Sequence, residues 1–190
     1  MNDIHQFQML MRKELPIVEG IDLIEQIERE LAQAKHSADA WGVTAVIARL
    51  VMIPANVVVN AGQVSAAKTA LQALGHAVAE IAYKRHGASG NGVEGFAKPA
   101  LATLKRVVVA ELKTKGLAHY VPGANIIIGL SEDSLALLSA MRTVTDGSAE
   151  IRAISQKQQA LLARMRRELV ALGIQANQHL GRIQMVGRTA

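Results

Sequence analysis

A chain of 190 residues that is 50% apolar is long enough to bury one sizeable core, and with aromatics at only 3% that core falls to Ala, Val, Ile, Leu and Met. It contains no cysteine, which excludes disulfides, thiolate metal sites and cysteine nucleophiles. The net charge of +5 is unevenly spread: beyond Glu150 stand Arg152, Lys157, Arg164, Arg166, Arg167, Arg182 and Arg188 against Glu168 alone.

The opening residues place acidic and polar side chains where a secretion signal needs a basic end and an unbroken apolar core. The expected location is therefore cytoplasmic as synthesised. Export without a signal peptide and membrane association are the alternatives. Residues 3–14 have Ile4, Phe7 and Leu10 or Met11 at helical spacing, and Pro16 is expected to interrupt this short helix. A second amphipathic helix is predicted from Ile21 to Ala34, with Ile21, Ile24, Ile27 and Leu31 inside and Glu25, Glu28, Arg29 and Glu30 outside.

The stretch from Trp41 to Gly62 organises the rest. Between Asp39 and Lys68 its only charge is Arg49. So apolar a segment must be buried in the fold or given to lipid or a partner, with Trp41, Val46, Ile47, Leu50, Val51, Ile53, Val57, Val58 and Val59 as its buried or insertable residues. The run is too long and too irregular for a strand, so a buried helix bending at Pro54 is expected. Short strands near 56–60 and 125–130, in an α/β fold, are the alternative.

From Val64 to Lys84 the stripe Leu71, Leu74, Val78 and Ile81 lies beside a face crowded with alanines, which predicts a helix that another helix can approach closely. The glycine-rich stretch after His86 reads as an irregular connection. Pro99 then opens a helix over Ala100–Lys115 with Leu101, Leu104, Val108 and Leu112 inward, and Gly116 stops it. A second uncharged run, residues 117–130, contains a Pro-Gly turn signal. Ser131 followed by Glu132 and Asp133 resembles a helix N-cap with acids at the positive end of the dipole. Asp146-Gly147 marks a turn before a long helix from Ala149 to at least Leu172. Its seam of Ile151, Ile154, Leu161, Leu162, Met165, Leu169 and Leu172 is interrupted by Gln158, and Gly173 is placed to end or bend it.

The whole reads as an all-α bundle of six or seven helices around the pair 41–62 and 64–84. Residues 1–150 form the core, and the basic arm 151–190 belongs to the same domain.

Chemistry is sparse. Gly90-Asn91-Gly92-Val93-Glu94-Gly95 matches G-x-G-x-x-G but lacks the preceding strand and the helix start that a nucleotide site needs. Ser65-Ala66-Ala67-Lys68 matches S-x-x-K without the companion motifs of that serine chemistry. No two of His5, His36, His76, His86, His119 and His179 stand at metal-ligand spacing. No catalytic, cofactor or metal residue is therefore expected, and no small-molecule substrate. The function expected first is a non-enzymatic helical interaction or assembly protein that self-associates or joins a complex. A membrane-active, pore-forming type of effector is second and an enzyme third. Arg152, Lys157, Arg164, Arg166 and Arg167 are the candidates for contact with a partner or an anionic membrane. The missing stacking aromatics argue against nucleic acid.

Overall fold

The computed structural model describes residues 2–37, 39–61, 64–83 and 93–186. Of these, 91% are helical and none is in a strand. The fold is an all-α bundle, and both segments weighed as strands lie inside helices. Helix α1 spans Asn2–Ser37, α2 Ala40–Ala61, α3 Ala67–Tyr83, α4 Lys98–Thr114, α5 Val121–Ala140 and α6 Ala149–Val186. Short turns of 3-10 helix precede and follow α5, and a five-residue π turn, Val93–Ala97, leads from the glycine-rich connection into α4.

Three boundaries differ from the sequence reading. Pro16 does not interrupt α1, which runs through it as one helix. A proline removes one hydrogen bond and crowds the preceding turn, yet here long helical segments on both sides carry the chain across it. Gly173 likewise lies inside α6. The third correction is larger. Ser131 is no N-cap but a fully buried residue in the middle of α5, because the uncharged run and the leucine-rich segment after it form one helix. The Pro-Gly pair marks the first turn of that helix, where proline's fixed φ and missing N–H are tolerated. Two positive-φ glycines stand where turns require them, Gly116 (φ 71°) after α4 and Gly147 (φ 76°) before α6.

Helix α2 is the hub. Its inner residues Val46, Ile47, Leu50, Val51, Ile53, Val57, Val58 and Val59 are all 5% exposed or less. Pro54 is buried within the same helix. The side chain of Trp41 lies outside the described residues. Helix α2 packs most extensively on α5, then on α1 and α3, with a lighter contact to α6. Around it α1 packs on α6, α6 on α5, α5 on α4 and α4 on α3. Neighbours run antiparallel where contacts fix their direction: Gly20 and Ala34 of α1 face Val57 and Gly42 of α2, and Gly123 of α5 meets Leu172 of α6.

Glycines set two of these distances differently. A Cβ at Gly20 would stand 2.8 Å from Val57 Cγ2, so α1 and α2 approach as closely as they do only because Gly20 has no side chain. A Cβ at Gly129, in α5, would meet nothing within 4 Å. Alanine is the better helix former by about 1 kcal/mol. We therefore expect opposite signs from one substitution. Gly129→Ala should raise stability by about 0.4–1 kcal/mol, whereas Gly20→Ala should lower it as Val57 is pushed from its place. Urea denaturation followed by circular dichroism checks both; stabilisation by both variants would show that the α1–α2 contact is looser than described.

Candidate interaction surface

Polar residues tie the bundle together along its rims. Lys105 of α4 and Arg164 of α6 reach Glu132 and Asp133 of α5 at 3.6 and 3.0 Å. The adjacent acids read from sequence as a cap thus splay to opposite neighbours. Arg166 pairs with Glu25 of α1, and Arg49 of α2 with Glu30 of α1. All eight side chains are well exposed, so each pair contributes at most about 1 kcal/mol.

Two carboxylates act as caps from a distance. Glu111 of α4 accepts hydrogen bonds from the backbone N–H groups of Ala66 (3.1 Å) and Ala67 (3.3 Å) and from the Ser65 hydroxyl (3.3 Å). This meets the unpaired donors and the positive dipole end of α3, and gives the S-x-x-K serine a structural role. Asp146, in the turn before α6, accepts from the N–H of Ala40 at 3.0 Å and closes the start of α2.

The basic cluster of α6 is divided by the fold. Arg164 faces α5 and Arg166 faces α1, each occupied by an acid. Arg152, Lys157 and Arg167 are exposed, and among the described residues they have no ion-pair partner. Arg182 and Arg188 have no described side chain. Most of the glycine fingerprint also lies outside the described residues. Among the described residues no three His, Asp or Glu converge to hold a metal. Tyr120, before α5, has its phenol pushed above the ordinary value by burial.

One surface was not read from the sequence. The helices around α2 leave it uncovered between α1 and α3, which, among the described residues, make no extended contact with each other. Through this gap α2 presents Gly42, Ala45, Arg49, Met52, Asn56 and Asn60, a stripe in steps of three and four. The α1 wall touches it at Ala34 and Glu30, and the α3 wall at Gly75, where a Cβ would stand 3.3 Å from Met52 Cε. At the Gly42 end of this stripe an open cleft of about 350 Å³ lies between α1 and α2, lined by Glu30, Gln33, Ser37, Asp39, Ala45 and Arg49, among others. Asn60 donates to Asn56 at 2.8 Å along the floor. The signal was present in the sequence: Arg49, Asn56 and Asn60, the polar breaks in the apolar run, are spaced seven and four apart, on one helical face.

By length and composition two helices could cross a membrane, Gly42–Asn60 of α2 and Ala118–Ala140 around α5, with 72% and 44% of their apolar windows buried in the bundle. Compared with known proteins, the chain matches no family model, no curated sequence and no solved structure.

The rim pairs and the cap should separate in a mutational test. A double-mutant cycle on Asp133 and Arg164, with alanine at each, should give a coupling below about 1 kcal/mol that shrinks in 1 M salt. Glu111→Ala should cost about 0.5–2 kcal/mol, the range of a lost helix cap. Both are read by chemical denaturation; a cap loss no larger than the rim coupling would remove Glu111 from its assigned role.

Proposed function

We propose that the protein is a non-enzymatic assembly protein that self-associates by accepting a helix of a second copy into the groove over α2, between α1 and α3. What supports this reading is the uncovered stripe. The floor has short residues at one end, Gly42 and Ala45, and Gly75 of the α3 wall stands against Met52 midway along it; short residues let helix axes approach closely. Arg49 stands beside Ala45 in the cleft, and Asn56 and Asn60 lie toward the other end; all three offer hydrogen bonds that fix register. Helix-in-groove binding uses features of this kind. In this reading the same residues keep the free protein in solution, since Arg49 and both asparagines give this uncovered stripe of the hub a polar surface.

The test fills the groove without touching the core. Ala45 is half-buried on the groove floor. Wild-type protein at tens of micromolar should show a light-scattering mass that is a multiple of 20.3 kDa. Ala45→Trp should return to the monomer mass with unchanged helicity. A monomeric wild type, or association indifferent to Ala45→Trp, overturns the reading.

A second reading, membrane activity, has one observation of its own: the two membrane-length helices, α2 and α5, form the most extensive helix pair of the bundle and lie at its centre. Amphipathic neighbours would have to part before that pair could meet lipid, and Arg49 would cost about 2.5–3.5 kcal/mol at a bilayer centre. Leakage from anionic liposomes that falls when Arg152, Lys157 and Arg167 are changed together to Glu would favour this reading over the first. Absence of leakage from such vesicles would remove it.

A further inference from the structure

Helix α6 has a feature that its apolar neighbours do not share. Gln158 stands at the centre of its inner face, between Ile154 and Leu161, and is fully buried. Neither the Oε1 nor the Nε2 of its amide has a hydrogen-bond partner. Ser155, one turn earlier, is also fully buried with an unpartnered hydroxyl, as are Ser131 and Ser134 on α5, the antiparallel neighbour. Serine hydroxyls in a helix can turn to the carbonyl four residues back. A glutamine amide has two donors and an acceptor oxygen, and no local backbone group satisfies them. Desolvated polar groups without partners weaken the seam that contains them.

The apolar packing of α6 on α1 is extensive, but its polar ties and its connection are slight. The polar ties on its flanks are Arg164 with Asp133 and Arg166 with Glu25, both in solvent. Its connection to α5 is non-α chain: a 3-10 turn at Met141–Thr143, extended Val144 (ψ 132°) and the positive-φ Gly147. Its contact with α2 is slighter than that of α1, α3 or α5. We propose that α6 is a releasable strap: it lifts from the α1–α2–α5 face as a unit about the hinge at residues 141–148, while the other five helices stay packed. Release rehydrates Gln158 and Ser155 and bares the inner side of the α2–α5 pair. The inference does not depend on the groove reading, because α6 packs on α1, α5 and, lightly, α2, and none of its residues lines the cleft at the α1–α3 gap.

Two measurements test it on the full chain. In native-state hydrogen exchange of the unaltered protein, amides of residues 154–165 should exchange about tenfold or more faster than those of residues 46–58 of α2, at denaturant concentrations far below the unfolding midpoint. Equal protection of the two segments overturns the strap. The chain has no cysteine, so a single introduced thiol reports on one place. Ser155→Cys should react with a disulfide reagent well before a thiol at Ala77, a buried position on α3. Adding Gln158→Leu should slow the reaction at position 155 by about tenfold, the scale of one buried unpaired amide removed, and leave position 77 unchanged. Reaction at the same rate in both places, or faster reaction at position 155 after Gln158→Leu, also overturns it; the latter would mean that Gln158 holds the seam closed.

Discussion

Everything in this bundle depends on keeping one helix out of water. Among the described residues helix α2 carries more buried apolar side chains than its neighbours, and each large one gains roughly 1.5–3 kcal/mol by burial. A helix so apolar cannot be served by one partner, so its inner face is shared among α5, α1, α3 and α6, while α4 braces α3 and α5 from outside. The core is therefore continuous from Ile24 in α1 to Leu169 in α6. Ion pairs lie on its rims and adjust alignment, and buried apolar area supplies the stability.

The apolar stripes were legible because period 3.6 is a strong signal when charges mark the outer face. Ile24, Ile27 and Leu31, Leu101, Leu104 and Val108, and Ile151, Leu161 and Met165 all face inward where spacing put them. Boundaries were less legible wherever proline or a polar residue fell inside a helix. Pro16 and the Ser131-Glu132-Asp133 triplet carry the chemistry of a break and a cap, yet both lie within helices, and at the fully buried Ser131 tertiary packing decides. Local propensity amounts to about 1–3 kcal/mol at such points, and burial along a helix of twenty residues outweighs it.

The interaction surface was hidden for a different reason. Spacing alone could place Arg49, Asn56 and Asn60 on one face of α2, but not which neighbours flank that face or whether a sixth helix covers it. The caps made by Glu111 and Asp146 reach across 44 to 106 residues of chain, a separation at which no local pattern exists. Likewise Gln158 read as an interruption of a seam. Only the packed bundle shows that its amide is sealed in with nothing to bond.

The place of α6 in the chain has a consequence for how the protein is made. A ribosome delivers helices in order, and α6 comes after all the partners it covers. Until residues 149–169 emerge, the flank that α1, α2 and α5 later present to it is wet, and the nascent chain carries a broad oily face at the moment it is most crowded by other chains. A chain that has emerged only as far as the turn around Asp146 would hold α2 already capped, but with that flank bare, a substrate for chaperones and for aggregation alike. Arrival of α6 is thus the step at which an adhesive flank of α1, α2 and α5 becomes covered.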